Sequence, residues 1–290
     1  MHMDELETFL TLVQEKNFTK TAEKRALSQP TVSVHIKNLE REFATIFIKR
    51  TTKHVSLTME GELFYEKALQ IREIYQELQH TLYNKKQEVS GLIRFGASFT
   101  IGEYLLPKMI ADWHNRYPLL DFHIMIGNTE SIMASVRKLE VDIGLVEGTI
   151  HARDIRQTSF QKDRLVIVCS VNYRKKVTKI DELHDHVWIM REEGSGTRQS
   201  FDTFIKTRGI RVKDSFVFSS TQAIKSSVMN GMGLALLSET TIQEELKYGT
   251  LKILFSDVLY EMRSFSSIVT KVPSNGHNIQ LLLQDLHKRS

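Results

Sequence analysis

TKTAEKRALSQPTVSVHIKNLE, residues 19–40, is the stretch that decides the fold of the N-terminal part of this chain. Its spacing predicts two short helices joined by a tight turn, with Thr19 capping the first helix and Ser28 capping the second. Pro30 fits the first turn of the second helix, because a missing backbone N–H costs nothing there. One buried stripe is predicted from apolar residues at steps of four, three and four: Val32, Ile36, Leu39 and Phe43.

The remaining face of the second helix can donate and accept hydrogen bonds. It carries Gln29, Thr31, Ser33, His35 and Lys37. A helix of this kind fits the major groove of DNA, where the base edges distinguish all four base pairs. An ordinary amphipathic helix pair in a protein core has the same spacing, so this stretch alone leaves both interpretations open.

The flanking residues carry a longer pattern. LSQPTVSVHIKNLE at 27–40 is followed by IFIKRTTKHVSLTMEG at 46–61, and together they resemble the N-terminal domain of LysR-type transcriptional regulators. That family has a Ser-Gln-Pro-x-Val-Ser-x-x-Ile-x-x-Leu-Glu helix, an apolar-Phe-x-Arg wing and then Leu-Thr-x-x-Gly. The resemblance in order and length extends over the whole chain.

Three positions depart from the family pattern. Arg25 stands where the family usually has Leu, and Ile48 takes the place of the wing Phe. Ala44 stands where the family has the Gly that ends the recognition helix. Gly is the easiest residue to place at a left-handed helix end, so Ala44 is expected to alter how the helix meets the wing.

Residues 46–57 predict two short strands around a basic turn, a wing whose Arg50 and Lys53 can reach the sugar-phosphate backbone. Residues 19–58 hold eight basic and three acidic side chains, an excess that is larger than the net charge of +4 of the whole chain. Such a basic face is typical of phosphate contacts, although a solvated mixed surface has the same composition. The residues expected to contact double-stranded DNA are Ser28, Gln29, Pro30, Thr31, Ser33, His35, Lys37, Arg50 and Lys53.

Length and composition indicate a globular protein of about two domains. The chain has 290 residues, of which 41% are hydrophobic and 26% are charged. No stretch approaches the roughly 18 apolar residues of a membrane span, and the N-terminus lacks the pattern of a secretion signal. Cys169 is the single cysteine. It excludes an internal disulfide and fits a reducing compartment, so we expect a cytoplasmic protein with an inert, buried thiol.

A long linker helix is expected after Thr58, running to about Glu88 and ending in a hinge at 88–91. Its apolar seam has a mean step of 3.5 residues, which is typical of a coiled coil. We interpret it as a dimerisation helix that pairs with a second copy; packing on its own C-terminal domain is the alternative. The seam residues are Phe64, Ala68, Ile71, Tyr75, Leu78 and Leu82.

The remainder alternates strand and helix, which implies parallel sheets covered by helices. The expected fold class is α/β with an N-terminal winged helix-turn-helix. The family resemblance implies two Rossmann-like lobes similar to a periplasmic solute-binding protein, with chain crossings near 161–163 and 264–266. The expected domains are 1–58 for DNA binding, 59–90 for the linker helix and hinge, and 91–290 for effector binding, with lobe I at 91–161 and 266–290 and lobe II at 162–265.

Four strand-to-helix junctions are rich in small polar residues. Ligands in open α/β sheets bind at the carboxyl ends of strands, beside helix N-termini that favour anions. We therefore expect a small anionic effector between the lobes, such as sulfate or a carboxylate metabolite, with Glu147 placed to receive an amino group. Helix capping alone is the alternative role for these junctions. The expected effector-binding residues are Ser98, Thr100, Asn128, Thr129, Glu147, Ser195, Gly196, Thr197 and Thr221.

Other classes of function fit the sequence less well. EGSGT at 193–197 is not the Gly-x-Ser-x-Gly nucleophile elbow, no nucleotide P-loop is present, and the triplet at 184–186 lacks a third strong metal ligand. We therefore expect no catalysis, metal or cofactor. An α/β enzyme and a DNA-binding architectural protein without an effector are the alternatives.

The residues GASFTIGEYLLP at 96–107 resemble LysR-type members that control sulfur or carbon assimilation. The family resemblance also implies a homodimer that assembles into a homotetramer, with RNA polymerase as a further partner and no membrane association. The sequence therefore predicts a sequence-specific transcription regulator whose activity a small metabolite modulates.

Overall fold

The computed structural model describes residues 1–50, 55–83, 89–150, 152–255, 260–271 and 276–288. Within these ranges, the description excludes the side chains of residues 50, 73, 76, 77 and 80–83. The chain divides into two compact units, Met1–Gln87 and Glu88–Ser290. Among the described helices, none has both the length and the apolar character needed to span a membrane.

The N-terminal unit is a three-helix core followed by a two-stranded wing and a long helix. Its elements are α1 Met3–Glu15, α2 Phe18–Arg25, α3 Gln29–Glu42, β1 Ile48–Arg50, β2 Val55–Leu57 and α4 Met59–Tyr83. Strands β1 and β2 pair antiparallel, with Ile48 opposite Leu57. A cluster of aromatic rings from α1, α4 and the segment that joins α3 to the wing fills the space between them: Phe9, Phe43, Phe47 and Phe64.

Two local expectations for the helix-turn-helix were wrong. The cap of α2 is Asn17, whose Oδ1 accepts from the backbone N–H groups of Thr19 and Lys20, so Thr19 lies inside the helix. Phe43 is 46% exposed and does not complete the buried stripe, because α3 has ended before it. The cap of α3 is Ser28, as predicted, and its Oγ accepts from the N–H of Thr31 at 3.2 Å.

Ala44 ends α3 in the left-handed conformation that the family pattern assigns to Gly, with φ at 49°. The N–H of Ala44 donates to the carbonyl of Arg41 at 3.2 Å, and the N–H of Thr45 donates to that of Glu40 at 2.9 Å. These two bonds form a Schellman motif. Ala44 therefore keeps the helix end that the family makes with Gly, in a conformation that costs a side-chain-bearing residue energy.

The predicted dimerisation seam lies on α4, where its first residues are buried and its later residues are exposed. Phe64 is 9% exposed and Ala68 is fully buried, and the Phe64 ring stacks on Phe47 at 4.2 Å. These two residues are core residues of the N-terminal unit, so the prediction that they form the dimer seam is corrected. The seam residues that remain exposed are Ile71, Tyr75 and Leu78. Residues 84–88 and the Leu82 side chain lie outside the described part of the chain.

The second unit is built from two α/β lobes. Its strands are β3 Ser90–Ser98, β4 Leu119–Gly127, β5 Ile143–Glu147, β6 Ile155–Ser170, β7 Val187–Arg191, β8 Asp214–Phe218, β9 Ala235–Ser238, β10 Leu251–Leu254 and β11 Tyr260–Thr270. Its α-helices are α5 Phe99–Tyr104, α6 Leu106–Arg116, α7 Thr129–Arg137, α8 Gly196–Thr207, α9 Thr221–Met229, α10 Gln243–Lys247 and α11 His277–His287. Short 3₁₀ turns lie at Ile180–Asp185 and Glu239–Ile242.

Strands β6 and β11 run through both lobes and join them. The sheet order through them is β10-β6-β11-β5-β3-β4, and β9 also pairs with β6. The pair β6 and β11 is antiparallel, with a register shift between Phe265 and Ser266 where Phe160 is left unpaired. Residues 155–170 thus form one continuous strand, where the sequence had indicated two. Strands β3, β4 and β5 pair parallel in the first lobe, and β7 and β8 pair parallel in the second.

Each lobe has its own apolar core, centred on one of the two tryptophans. Trp113 packs between Phe95 and the residues of α11 in the first lobe, and Trp188 packs on Phe201 in the second. Strands β5 and β9 are buried along their whole length, whereas the outer strands β4 and β8 keep exposed residues. Small polar residues stand at the carboxyl ends of β3, β4 and β8: Ser98, Asn128 and Ser219.

Candidate functional site

The exposed face of α3 is the candidate DNA-reading surface. Gln29, Pro30 and Lys37 are exposed, and Thr31 and Ser33 are half-buried. Val34 was absent from the predicted set, yet it is 52% exposed on this face and can contact a thymine methyl group. Thr31 Oγ1 lies 2.7 Å from Ser28 Oγ, so capping already engages these two hydroxyls.

His35 is held against α1. Its Nδ1 lies 2.9 Å from Thr8 Oγ1, and the Thr8 hydroxyl donates its proton to the carbonyl of Asp4 at 2.7 Å. The Thr8 oxygen must therefore accept from His35, which fixes the proton on Nδ1. The bond to Thr8 sets the orientation of this half-buried ring and leaves only Nε2 available to contact DNA.

The positive charges of the N-terminal unit differ in their availability. Lys24 pairs with Glu15 at 2.6 Å, and Arg25 lies 3.6 Å from Asp4. Lys37 and Lys49 are exposed, and no described carboxylate pairs with either of them. Their charges can therefore be directed at phosphates. Lys53 and the Arg50 side chain lie outside the described residues.

Arg263 on the crossing strand β11 organises the cleft between the lobes. Its Nη1 donates to Thr197 Oγ1 at 2.9 Å in the second lobe, and its Nη2 donates to Thr100 Oγ1 at 3.4 Å in the first. Its Nε donates to Asp163 Oδ2 at 2.6 Å, on the other crossing strand. Arg263 is 7% exposed. One guanidinium thus joins a predicted effector residue from each lobe.

Arg191, at the end of β7, is the second buried guanidinium in the cleft. It forms two bonds to Glu192, at 2.8 and 2.9 Å, and its Nη1 donates to Thr221 Oγ1 at 3.4 Å. The guanidinium also lies over the Phe99 ring, 4.6 Å from its centre. The predicted Thr221 is thereby linked to the first lobe through an aromatic residue beside Ser98.

The remaining predicted residues lie where the lobes meet. Asn128 caps α7 and its Nδ2 donates to Glu192 Oε1 of the other lobe at 3.3 Å. The Thr129 hydroxyl, Oγ1, donates to Glu147 Oε2 at 3.4 Å. At Gly196 two backbone segments approach so closely that a Cβ on this residue would lie 2.6 Å from the Glu147 carbonyl oxygen. Arg263 bonds to the predicted residues Thr100 and Thr197, and Arg191 bonds to the predicted Thr221. Sequence reasoning missed both of these arginines.

Two buried polar groups in the cleft have no hydrogen-bond partner among the residues that the structure describes. Ser98 Oγ is one and Glu147 Oε1 is the other; the two residues are 1% and 3% exposed. Glu147 Oε1 lies 3.9 Å from Arg263 Nη2, too far for a hydrogen bond. Unpaired buried polar atoms are costly, so a ligand that bonded to them would stabilise the closed cleft.

Charge in the cleft is nearly balanced by internal pairs. Burial opposes the charged form of Glu192, but the bonds from Arg191 outweigh it and lower the pKa of this carboxyl. Burial raises the pKa of Glu103 above its ordinary value, against the attraction of Arg191 and Lys225. Lys225 itself pairs with Glu245 at 2.6 Å. Attraction for an anion therefore depends on hydroxyls and backbone N–H groups more than on net side-chain charge.

The residues considered for other chemistry are engaged elsewhere. His186 Nδ1 lies 3.0 Å from the Tyr173 hydroxyl, whereas His184 Nδ1 accepts from the backbone of Arg211. In the described part of the chain, no cluster of three or more His, Cys, Asp or Glu could hold a metal ion. Cys169 is buried, and burial raises the pKa of its thiol.

Comparison with known proteins covers both units. Residues 3–62 match the family described as "Bacterial regulatory helix-turn-helix protein, lysR family". Residues 86–288 match the family described as "LysR substrate binding domain". The chain is 38% identical over 287 residues to the HTH-type transcriptional regulator CysL of Bacillus subtilis, covering 98% of this chain and 96% of that protein. The chain belongs to the LysR family of transcriptional regulators.

Solved structures of this family share the fold. A full-length OxyR variant from Pseudomonas aeruginosa superposes with a TM-score of 0.78 at 21% identity, covering 100% of this chain and 94% of that one. The regulatory domain of Synechocystis PCC6803 CcmR, in complex with 2-PG, has a TM-score of 0.63 at 25% identity and covers 69% of this chain and 97% of that one. This LysR-type regulator is therefore a DNA-binding protein with an effector-binding domain, and it is not an enzyme.

Proposed function

We propose that this LysR-type regulator responds to a small anionic metabolite bound between its two lobes. The observation that carries the proposal is the bridge from Arg263 to Thr100 and Thr197. These two threonines lie in the first turns of α5 and α8, so helix N-termini from both lobes approach one guanidinium. Such ends favour anions through their free N–H groups.

The uncapped start of α8 strengthens this case. Ser195 precedes the helix, is 4% exposed, and makes no side-chain capping bond. A sulfate or carboxylate oxygen can accept from the backbone N–H groups of this first turn. The unpartnered Glu147 Oε1 adds an acceptor, which suits a metabolite that carries an amino group beside its acidic group. The complex of CcmR with 2-PG supports a small-molecule ligand for this kind of domain.

The DNA-binding role is assigned to α3 and the wing. Gln29, Pro30, Thr31 and Ser33 meet the base edges or the groove wall, and His35 contributes Nε2 alone. Lys37, Arg50 and Lys53 meet phosphates, and Ser28 sets the start of the helix. Operator recognition in the cytoplasm, with RNA polymerase as the downstream partner, completes the proposed activity.

Self-association is assigned to exposed apolar surfaces on both units. On α4, Ile71, Tyr75 and Leu78 are 36%, 40% and 52% exposed. On the second unit, the edge strands β4 and β8 expose Ile126 and Val217 at 42% and 54%. Exposed apolar edge strands favour pairing with another chain. We therefore propose a homodimer through α4 and a homotetramer through the second unit.

The test is thermal unfolding of the full chain against sulfate, thiosulfate, acetylserine and central carboxylates. A ligand at 100 times its Kd stabilises the folded state by about 2.7 kcal/mol. We expect one of these anions to raise the melting temperature, and Thr197→Ala to remove that increase. Thr207→Ala is the matched control, because Thr207 is exposed on the same helix and its described hydrogen bonds go to that helix and to Arg208. No increase with any anion would refute the anionic effector and leave the DNA-binding assignment standing.

A further inference from the structure

A second cavity lies in the first lobe, beneath helix α11. It is partly open to solvent and has a volume of about 440 Å³, within the usual range for small-molecule sites. Strand β6 contributes Arg156 and Thr158 to its floor, two residues apart and so on one face. Strand β11 contributes Ser267 opposite Thr158 and Val269 opposite Arg156. We call this cavity, formed by the four strand residues and the helix above them, the α11 pocket.

Helix α11 covers this floor with a single stripe. Gln280, Leu283, Gln284 and His287 line the cavity at the i, i+3, i+4 and i+7 spacing of one helix face. The chemistry is therefore mixed: two amides and an imidazole beside one apolar side chain. None of these residues belongs to the predicted effector cleft, although Ser267 and Arg263 share strand β11.

The charges of the α11 pocket favour an anion. Arg156 is exposed, and no carboxylate in the described ranges pairs with it. His287 Nε2 lies 2.9 Å from Ser267 Oγ, which holds the ring in the wall of the pocket. Arg156 is the charged side chain that faces this ring from β6, whereas β11 presents only Ser267 and Val269. Burial and the charge of Arg156 lower the pKa of His287.

We propose that the α11 pocket is a second ligand site that binds a small organic carboxylate. The carboxylate pairs with the Arg156 guanidinium, and the positive charge of the nearby His287 ring, when protonated, strengthens its attraction. The glutamine amides can donate to the remaining oxygen lone pairs. Val269 and Leu283 supply contact for a short apolar chain, which distinguishes the proposed ligand from an inorganic anion.

The test is calorimetric titration of the full chain with butyrate, and with acetate for comparison. We expect saturable binding of butyrate, roughly ten-fold tighter than acetate, because two further methylene groups are buried. Binding should be tighter at pH 6 than at pH 8, since a bound carboxylate favours the protonated form of His287. Arg156→Gln should weaken it at least ten-fold at both pH values, because an arginine–carboxylate pair is lost.

Arg153→Gln is the matched control, since Arg153 is also exposed, precedes the same strand and does not line the pocket. It should leave butyrate binding unchanged. Failure to bind butyrate at either pH, or binding that survives Arg156→Gln, would overturn the proposal. Binding that survives Arg156→Gln but is lost in Thr100→Ala would place butyrate in the effector cleft. That result would refute the second site without touching the first.

Discussion

Arg263 and Asp163 form a buried ion pair that links the two crossing strands, with 2.6 Å between Arg263 Nε and Asp163 Oδ2. Asp163 also accepts from Ser238 Oγ at 2.7 Å, so its carboxylate is bonded on both oxygens. The pair holds the guanidinium in the position from which it reaches Thr100 and Thr197. The proposed effector site and the stability of the second unit therefore depend on the same side chain.

Removing one member of this pair should destabilise the second unit. Asp163→Asn removes the carboxylate that bonds to the buried Arg263 guanidinium and leaves only the more distant Glu147 as a counter-charge. Breaking a buried ion pair typically costs about 3–5 kcal/mol, and we expect a loss at the lower end of that range. Both tryptophans, Trp113 and Trp188, are buried in this unit, so urea unfolding followed by tryptophan fluorescence reports on it directly. Asp154→Asn is the control at the exposed Arg137 pair, where the expected loss is below about 1 kcal/mol. Equal losses in the two variants would contradict this role.

Arg263 of the cleft shows what the sequence could not supply. Ser98, Thr100 and Thr197 were predictable, because small polar residues after apolar strands mark the carboxyl ends of a sheet. Arg263 lies inside the strand MRSFSSIVTK, and its neighbours in sequence give no sign of a site. Only the long pairing of β6 with β11 brings it to the cleft. Contacts between residues far apart in sequence depend on topology, which local patterns do not encode.

The N-terminal unit was more predictable because its motif is local. Ser28 capping and the stripe of Val32 and Leu39 depend on residues within one helix, and they are confirmed. The seam of α4 was partly wrong, because its spacing is the same whether a second copy or the unit's own core covers it. Phe64 meets Phe9 and Phe47 instead, a contact that heptad spacing cannot distinguish from a dimer contact.

Ala44→Gly should stabilise the N-terminal unit. Ala44 occupies a left-handed conformation at φ 49°, which costs an L-residue roughly 1–2 kcal/mol. Gly adopts this conformation freely but loses more entropy on folding, so we expect a net gain of about 0.5–1 kcal/mol. The gain is measured as a higher urea midpoint for the far-ultraviolet circular dichroism of residues 1–87, expressed as a separate unit. Ala22→Gly, in the middle of α2, is the control and should destabilise. A lower midpoint for Ala44→Gly would show that the helix end is under no strain.

Leu78→Asp should separate the proposed dimer without unfolding the chain. Leu78 is 52% exposed on α4, so a charge there costs little in the monomer but opposes burial against a second copy. Sedimentation velocity should show a smaller species at concentrations where the wild type is associated. Phe64→Ala is the contrasting variant: it should cost about 3–5 kcal/mol of stability, because the ring belongs to the core. A wild-type sedimentation profile for Leu78→Asp would refute dimerisation through this face.

Gln29→Ala and Lys37→Ala should affect DNA binding in different ways. On a DNA site selected by the wild-type protein from a random library, Gln29→Ala should cost about 1–3 kcal/mol and relax one base position. Lys37→Ala should weaken selected and random DNA alike and reduce the salt slope by about one. Fluorescence anisotropy at several salt concentrations measures both effects. Lys252→Ala, an exposed lysine of the second unit, is the charge-matched control. The role assignment fails if both variants act equally on selected and random DNA.

The stability of the second unit should fall as the pH drops below about 6.5, through His186. This side chain is 4% exposed, and burial lowers the pKa of its ring below the ordinary value of 6.5, assisted by the charge of Lys175 and opposed by Asp185 and Glu182. The unfolded chain then binds the proton more readily than the folded chain, so the contribution is present above pH 6.5 and is lost as the pH falls through the lower folded value. His287 acts in the same direction. Stability is measured by urea unfolding with tryptophan fluorescence between pH 8 and pH 5. His186→Gln should show a smaller pH dependence of stability than the wild type. His123→Gln, at an exposed histidine, is the control and should keep the wild-type profile. An unchanged profile for His186→Gln would show that this ring is not the group that titrates.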